Sequence, residues 1–220
     1  MKPGVLWLAP MFALTLGPAD CRAQTTGVEQ LQKFIGSDFH KELIGKALSA
    51  IPPAVFQRCP ALEANGSQVT ILRPVSFGKG GRPKAGAWRE AFPVAGCGND
   101  TVLNVFFEAG KDEKINTLVG APGTTHADPV LQRDAQLYAF VGAGALARNC
   151  EKFDVKDTRF EAFGLSDPPT ADPGAGDPLR PWWETWTVTG CDRTFDVQLD
   201  FAPDQTGTQI TQPADGRKER

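Results

Sequence analysis

Two segments of the sequence place aromatic rings beside a carboxylate at alternating positions, and this pattern could bind a ligand. The candidate binding residues are Trp88, Glu90, Trp182, Glu184 and Trp186. Alternate side chains of a β-strand share one face, so each segment would present flat rings next to an acceptor. Such a face suits a saccharide or a cation, which can lie against aromatic rings while it interacts with the carboxylate.

The same pattern is typical of a strand whose aromatic face is buried. Val188 continues the second face, and a valine has no use in a polar binding site. Recurrence in both halves of the chain also suits a structural role better than a single active site. We therefore expect this face to be core, with each glutamate buried against a cation. The candidate cations are Arg58 and Arg148, each close to a cysteine.

His126 and Asp128 lie in the most motif-like loop, just before a predicted helix that begins at Pro129. A histidine near a carboxylate could act as a base with its orienting group, or could bind an anion at the helix start. Asp128 equally suits a plain N-cap, because its carboxylate can accept from free N–H groups of the first turn. We favour the cap and keep His126 as a candidate binding residue. His40, on an earlier predicted helix, is expected at the surface or at the edge of the core.

Composition and motifs exclude several classes of function. A net charge of −3 argues against a nucleic-acid binder, which would carry a basic patch. The sequence has no G-x-S-x-G, H-E-x-x-H, P-loop or dinucleotide motif, and no C-x-x-C spacing. We therefore expect no catalytic residue of a known signature, no metal site and no cofactor.

The two aromatic segments belong to longer matching stretches that each end in a cysteine. Cys97 closes the first and Cys191 the second, and each is preceded by another cysteine, Cys59 or Cys150. Four cysteines allow three pairings, but a repeat predicts pairing within each unit, Cys59 with Cys97 and Cys150 with Cys191. Each bridge would close a loop of roughly 40 residues and stabilise the fold by about 4 kcal/mol.

Both halves show the same predicted order of helix, cysteine, strand, long loop and hairpin. We therefore predict an α+β fold made of two tandem repeat units with antiparallel sheets, each stapled by a disulfide. The units cover residues 24–120 and 121–204, and the polar residues 205–220 are expected to form a disordered tail. Apolar spacing predicts the first helix over residues 28–51, with a break at 36–38.

The helix predicted after Pro129 carries an apolar stripe on one face. Its members are Val130, Leu137, Tyr138, Val141 and Ala145. Gly142 and Gly144 lie in the same helix, and glycines there would allow a neighbouring element to approach closely.

The N-terminus has the parts of a secretion signal. Lys2 precedes an apolar run at residues 5–16, which is too short to span a membrane. Small residues around Ala23 predict cleavage before Gln24, so residues 1–23 are the predicted signal peptide. The alternative is a lipoprotein anchored through Cys21, which the preceding residues disfavour. A signal peptide and an even number of remaining cysteines predict a periplasmic or secreted protein.

The pattern W-x-E-x-W-x-V-x-x-C at residues 182–191 resembles a strand motif of small secreted proteins of Proteobacteria that are described as uncharacterised. Residues 123–134 also resemble a segment of that group. The resemblance implies a bacterial periplasmic or secreted setting and implies no activity. The first copy departs from the motif, with Phe92 where the second has Trp186. Pro93 lacks an N–H group, so the first strand is expected at a sheet edge.

Together these features predict a disulfide-stabilised envelope protein that binds a small molecule or an envelope protein without catalysis. No membrane span is expected in the mature chain. The alternative is a small envelope hydrolase that uses His126 with a nearby carboxylate. An open cleft joining His126 to a carboxylate would favour the hydrolase, and a capped helix start with the ring pointing away would favour the binder.

Overall fold

The computed structural model describes residues 19–49, 63–64, 66–96, 100–110, 112–169, 172, 174, 177 and 179–220. Most of the predicted signal peptide, residues 1–18, lies outside the described residues. Arg58, Cys59 and Cys97 lie outside them as well, so the predicted first disulfide and one candidate cation stay predictions.

The described residues form three helices and ten strands. The helices are α1 (Ala19–Ile35), α2 (Asp38–Ser49) and α3 (Pro129–Leu146). The strands are β1 (Glu63–Ala64), β2 (Gln68–Phe77), β3 (Pro83–Ala95), β4 (Thr101–Ala109), β5 (Ile115–Val119), β6 (Asp154–Phe163), β7 (Trp182–Gly190), β8 (Arg193–Pro203), β9 (Thr208–Thr211) and β10 (Arg217–Glu219). The predicted break at residues 36–38 is confirmed, because α1 ends at Ile35 and α2 begins at Asp38.

The strands form two antiparallel sheets, so the predicted α+β class is confirmed. In sheet 1, made of β1 to β5, β4 lies between β3 and β5, and both β1 and β2 pair with the other side of β3. In sheet 2, made of β6 to β10, β7 lies between β6 and β8, and both β9 and β10 pair with the other side of β8. That the two halves are repeats of one unit stays a prediction.

The first aromatic strand is not at a sheet edge, contrary to the expectation from Pro93. β3 has neighbours on both sides. Pro93 lies opposite the gap between β1, which pairs as far as Val94, and β2, which pairs as far as Ala91. A proline is tolerated there because no described strand is hydrogen-bonded to it on that side.

A disulfide between Cys150 and Cys191 confirms the pairing predicted for the second half. Their Cα atoms are 5.8 Å apart, within the usual range for a disulfide. Cys191 and Asp192 form the two-residue turn of the β7–β8 hairpin, with positive φ angles of 51° and 60°. The bond therefore ties this turn to the segment that follows α3.

Each sheet has its own hydrophobic core beneath helices. In sheet 1, Trp88, Val105 and Phe107 pack against Leu31 and Phe34 of α1. In sheet 2, α3 covers a core of aromatic and aliphatic side chains. The buried residues there include Trp182, Trp186, Val188, Phe195, Val197, Leu199 and Phe201.

The apolar stripe of α3 faces solvent, and the helix packs on sheet 2 through its small residues. Ala135, Ala139 and Ala143 are fully buried, whereas Leu137 is 61% exposed and Val141 69%. A β-carbon on Gly142 would lie only 2.7 Å from Val197 Cγ1. The alanines and the glycine at these positions let the helix axis come this close to the sheet.

Residues 120–124 join the two sheets. The N–H groups of Gly120 and Gly123 donate to carbonyl groups of β4 at 2.8 and 2.7 Å. Thr124 then donates to β6 at 2.8 Å and accepts from it at 3.2 Å. Gly123 has a φ of 101°, and a β-carbon there would lie 2.0 Å from the carbonyl oxygen of Thr158. Only glycine lets the chain pass between the two edges.

The C-terminal segment is ordered, contrary to the predicted disordered tail at residues 205–220. It carries β9 and β10, and Ile210 is buried in the core of sheet 2. Arg220 Nε donates to Asp196 Oδ2 at 2.7 Å, and Asp196 is itself buried. A polar composition was misleading here because these residues pair with β8 rather than build a core of their own.

Candidate functional site

The two Trp–Glu pairs lie in the core. The exposed fractions are 0% for Trp88, 0% for Glu90, 6% for Trp182, 0% for Glu184 and 0% for Trp186. In both sheets the first tryptophan donates its indole N–H to the glutamate two residues later, at 2.9 Å. Each of these tryptophans also stacks on a phenylalanine of the next strand, with ring centroids 5.0 and 4.9 Å apart. The expectation that this face is core is confirmed.

Glu184 is satisfied by neutral donors and not by a cation. Its carboxylate accepts from the indole N–H groups of Trp182 and Trp186, each at 2.9 Å. The hydroxyl of Thr125 donates to it at 2.9 Å and the backbone N–H of His126 at 2.7 Å. Arg148, the cation predicted for this role, is exposed at the far end of α3. Several N–H donors can stabilise a buried carboxylate as well as one cation does.

Glu90 has fewer partners among the described residues. Its Oε1 accepts from Trp88 at 2.9 Å and lies 2.7 Å from Nε2 of His40. Its Oε2 is buried and has no partner among the described residues. Phe92 stands where the second half has Trp186, so the second indole N–H is missing. His40 is 4% exposed, so the expected place at the surface or core edge is wrong.

His126 is an exposed residue, but its ring packs among aromatic side chains. The ring centroid lies 5.1 Å from that of Trp182 and 5.5 Å from that of Phe163. Burial of the ring lowers the pKa of His126; the charge of Glu184 opposes this shift, and Arg89 and Arg180 add to it. The imidazole is therefore neutral at pH 7.

Asp128 caps α3, as favoured from the sequence. Its Oδ1 accepts from the N–H groups of Val130 and Leu131, both at 2.9 Å. Among the described residues, no carboxylate bonds to the ring of His126. The carboxylate of Asp128 therefore serves the helix cap and forms no bond with the ring of His126.

A groove of about 510 Å³ opens between the two sheets, where the ends of β3 and β4 face the edge of β6. Pro93, Val94 and Val102 supply apolar wall. Thr101 and Asp157 supply half-buried polar groups, and the exposed Asp100, Thr124 and Arg159 also line the groove.

Asp157 is the half-buried carboxylate of this groove. The hydroxyl of Thr101 in sheet 1 donates to its Oδ1 at 2.8 Å, so the bond crosses from one sheet to the other. Burial raises the pKa of Asp157; the hydrogen bonds from Thr101 and from the Thr158 backbone oppose the shift, as do the charges of Arg159 and Arg220. Burial thus disfavours the charged form of Asp157 more than the neighbouring hydrogen bonds and charges favour it.

Sequence reasoning missed the groove because its residues come from separate segments. Thr101, Thr124 and Asp157 share no motif or regular spacing. Of these three residues, only Thr124 lies in a loop that the sequence pattern singled out, because that loop also carries His126. What brings the three together is the hydrogen bonding of residues 120–124 to both sheets.

Neither a cluster of metal ligands nor a membrane-spanning helix occurs among the described residues. Among them, no group of three or more His, Cys, Asp or Glu side chains could hold a metal ion. No described helix is long and apolar enough to cross a membrane.

Comparisons with known proteins give no match from which a function could be transferred. No protein-family model matches the chain, and no curated protein or solved structure matches it significantly. Any functional conclusion therefore depends on the geometry of the molecule itself.

Proposed function

We propose that the protein is a secreted or periplasmic, disulfide-stabilised envelope protein that binds a ligand or partner without catalysis, and that the groove between the sheets is its binding site. The groove carries the proposal. Its volume of about 510 Å³ lies in the range typical of sites for small ligands. Such sites combine apolar walls with a few polar groups that orient the ligand, as Asp157 and the two threonines can do here.

The buried aromatic strands leave the groove as the better site. A ligand could reach Trp186 or Glu184 only if α3 separated from sheet 2, because both side chains are fully buried. Glu184 has no free oxygen to offer, since Trp182, Trp186, Thr125 and the His126 backbone already donate to it. Asp157, in contrast, is half-buried in an open groove, and burial disfavours its charged form. A ligand that donates hydrogen bonds would relieve that cost.

A photo-crosslinking experiment tests the site. A photoreactive amino acid replaces the exposed Thr124 at the groove, and the protein is exposed to a periplasmic extract before irradiation. Replacement of Lys79, an exposed residue in the turn between β2 and β3, is the matched control. We expect adducts at Thr124 that are absent at Lys79 and that disappear when Thr101→Trp fills the groove. The same adducts at both positions would overturn the groove as the site.

The secreted setting is supported by the disulfide, because disulfides persist in oxidising compartments. The predicted cleavage site before Gln24 lies within α1. Mass spectrometry of the exported protein should show Gln24 as its first residue. A lipid-modified Cys21 at the N-terminus would instead indicate membrane anchoring.

We further propose that the two halves are tandem repeats, each stapled by a disulfide. Support comes from the shared order of a helix followed by an antiparallel meander, β2 to β5 and β6 to β9. The equal Trp–Glu bonds in the two sheets add to it. Peptide mapping without reduction should find Cys59 joined to Cys97. A Cys59 that is free, or bonded to any other cysteine, would contradict the predicted disulfide of the first half.

A further inference from the structure

The outward face of α3 carries an apolar stripe that no described part of the protein covers. Val130, Leu137 and Val141 are 67%, 61% and 69% exposed. At about 100° per residue, these positions lie on the side of the helix opposite Ala135 and Ala139, which pack on sheet 2. Apolar side chains that are exposed together on one face of a helix can mark an interaction surface.

The spacing of the stripe is that of a coiled-coil seam. Val130, Asp134, Leu137 and Val141 are separated by four, three and four residues, which is the a/d pattern of a heptad. The next seam position is Gly144, which has no side chain and has room around it. A second helix could therefore approach closely at this end.

We propose that this face is the interface of a homodimer, in which α3 packs antiparallel against α3 of a second copy. Charge selects both the partner and the direction. Asp134 lies near one end of the stripe and Arg148 just beyond the other, and both are exposed. An antiparallel pair places Asp134 close to Arg148 of the partner subunit, whereas a parallel pair would place like charges side by side.

The free protein leaves these two charges available. Of the residues that the structure describes, only the sequence neighbour Arg133 lies within ion-pair distance of Asp134, at 3.9 Å. Arg148 makes no ion pair with any residue that the structure describes. In the proposed register Leu137 packs against Val141 of the partner subunit, and the twofold axis repeats the contact. Both subunits thus contribute the same surface, as a twofold-symmetric interface requires.

The dimer is independent of the proposed binding function. The groove is lined by residues of β3, β4, β6 and the segment 120–124, and none of them belongs to α3. A failed dimer would leave the groove untouched, and the converse also holds.

Sedimentation velocity on the mature protein, at concentrations up to about 1 mM, measures the association directly. We expect a concentration-dependent dimer. Val141→Asp should give a monomer at every concentration, since it places two carboxylates at the centre of the interface. Gln136→Asp, which adds the same charge at an exposed position of α3 outside the stripe, should leave the dimer intact. Thermal melts should show both variants folded, because both side chains face solvent.

A charge exchange then tests the partner and the direction. Asp134→Arg should weaken the dimer at least tenfold, and Asp134→Arg combined with Arg148→Asp should restore it. A parent protein that stays monomeric at every concentration would overturn the proposal. It would do so even if the stripe bound a different protein or a membrane surface. A dimer that survives Val141→Asp would overturn the interface, and a double variant as weak as the single one would overturn the antiparallel direction.

Discussion

Glu90 and Glu184 hold matching positions in the two sheets, but their surroundings satisfy them very differently. Both accept an indole N–H from the tryptophan two residues earlier, at 2.9 Å. Beyond that bond, Glu184 receives two neutral donors from the loop before α3 and a second indole. In the part of the chain that the structure describes, Glu90 receives only His40 and keeps a buried oxygen without a partner.

A repeated strand pattern therefore determines the contacts within the strand but not the contacts that its side chains make with other elements. The Trp–Glu bond lies within one strand, so it follows wherever the pattern occurs. The remaining partners of each glutamate come from other parts of the chain, and they differ between the two halves. The second half anchors its loop through the fully satisfied carboxylate of Glu184, whereas the first half places His40 beside Glu90, whose Oε2 has no partner among the described residues. Four sets of variants test this contrast between the two halves.

The largest expected effect is that of removing the aromatic ring at the third position of each pattern. Trp186→Ala should lower the free energy of unfolding by about 3–5 kcal/mol, because a fully buried ring leaves a cavity. Phe92→Ala should cost roughly 2 kcal/mol, because Phe92 is only half-buried and less area is lost. Urea unfolding of both variants measures the difference. Equal costs would mean that the half-burial of Phe92 does not lower its contribution.

Replacing each glutamate by glutamine should lower the free energy of unfolding by different amounts at the two sites. In Glu184→Gln the new NH₂ group must face an N–H or hydroxyl donor, so we expect a cost of about 2–3 kcal/mol. In Glu90→Gln the NH₂ group can take the place of Oε2, where no described donor opposes it. The expected cost there is below about 1 kcal/mol. If unfolding curves placed Glu90→Gln as the costlier change, the contrast between the sites would be wrong.

Phe92→Trp should add the donor that the first half lacks. An indole N–H at this position can reach Oε2 of Glu90, as that of Trp186 reaches Oε2 of Glu184. We expect a gain of about 1 kcal/mol, the usual net value of one hydrogen bond. The reciprocal Trp186→Phe should lose a similar amount, because its indole bond to Glu184 disappears. A destabilised Phe92→Trp protein would show that the second ring does not fit.

The smallest effect concerns the exposed histidine. Since the folded protein lowers the pKa of His126, the unfolded chain takes up its proton first as the pH falls. This contribution to stability is complete above about pH 6.5 and is lost as the pH falls from there to the lower pKa of the folded state. His126→Gln should remove that slope from the pH dependence of the free energy of unfolding. An unchanged slope would assign it to another group.

Local patterns in the sequence were enough to predict several features. Alternation of aromatic, Glu and aromatic residues predicted a buried strand face, because side chains two positions apart must share a face whatever surrounds them. The turn residues at 36–38 predicted the break between α1 and α2. The recurrence of a cysteine pair in each half of the chain predicted the bond between Cys150 and Cys191. The first two features depend on spacing along one short stretch, and the third depends on a comparison of two stretches.

The remaining features depend on which elements meet, and no local pattern contains that information. The partner of Glu90 is His40, fifty residues earlier in the chain, and the donors to Glu184 lie in a loop that precedes another helix. The orientation of α3 was set by how closely it approaches sheet 2, which turned its small residues inward and its apolar stripe outward. The groove exists because residues 120–124 bond to both sheets at once. Packing and hydrogen bonding between distant segments decide these points, since burial and partner choice are properties of the whole fold.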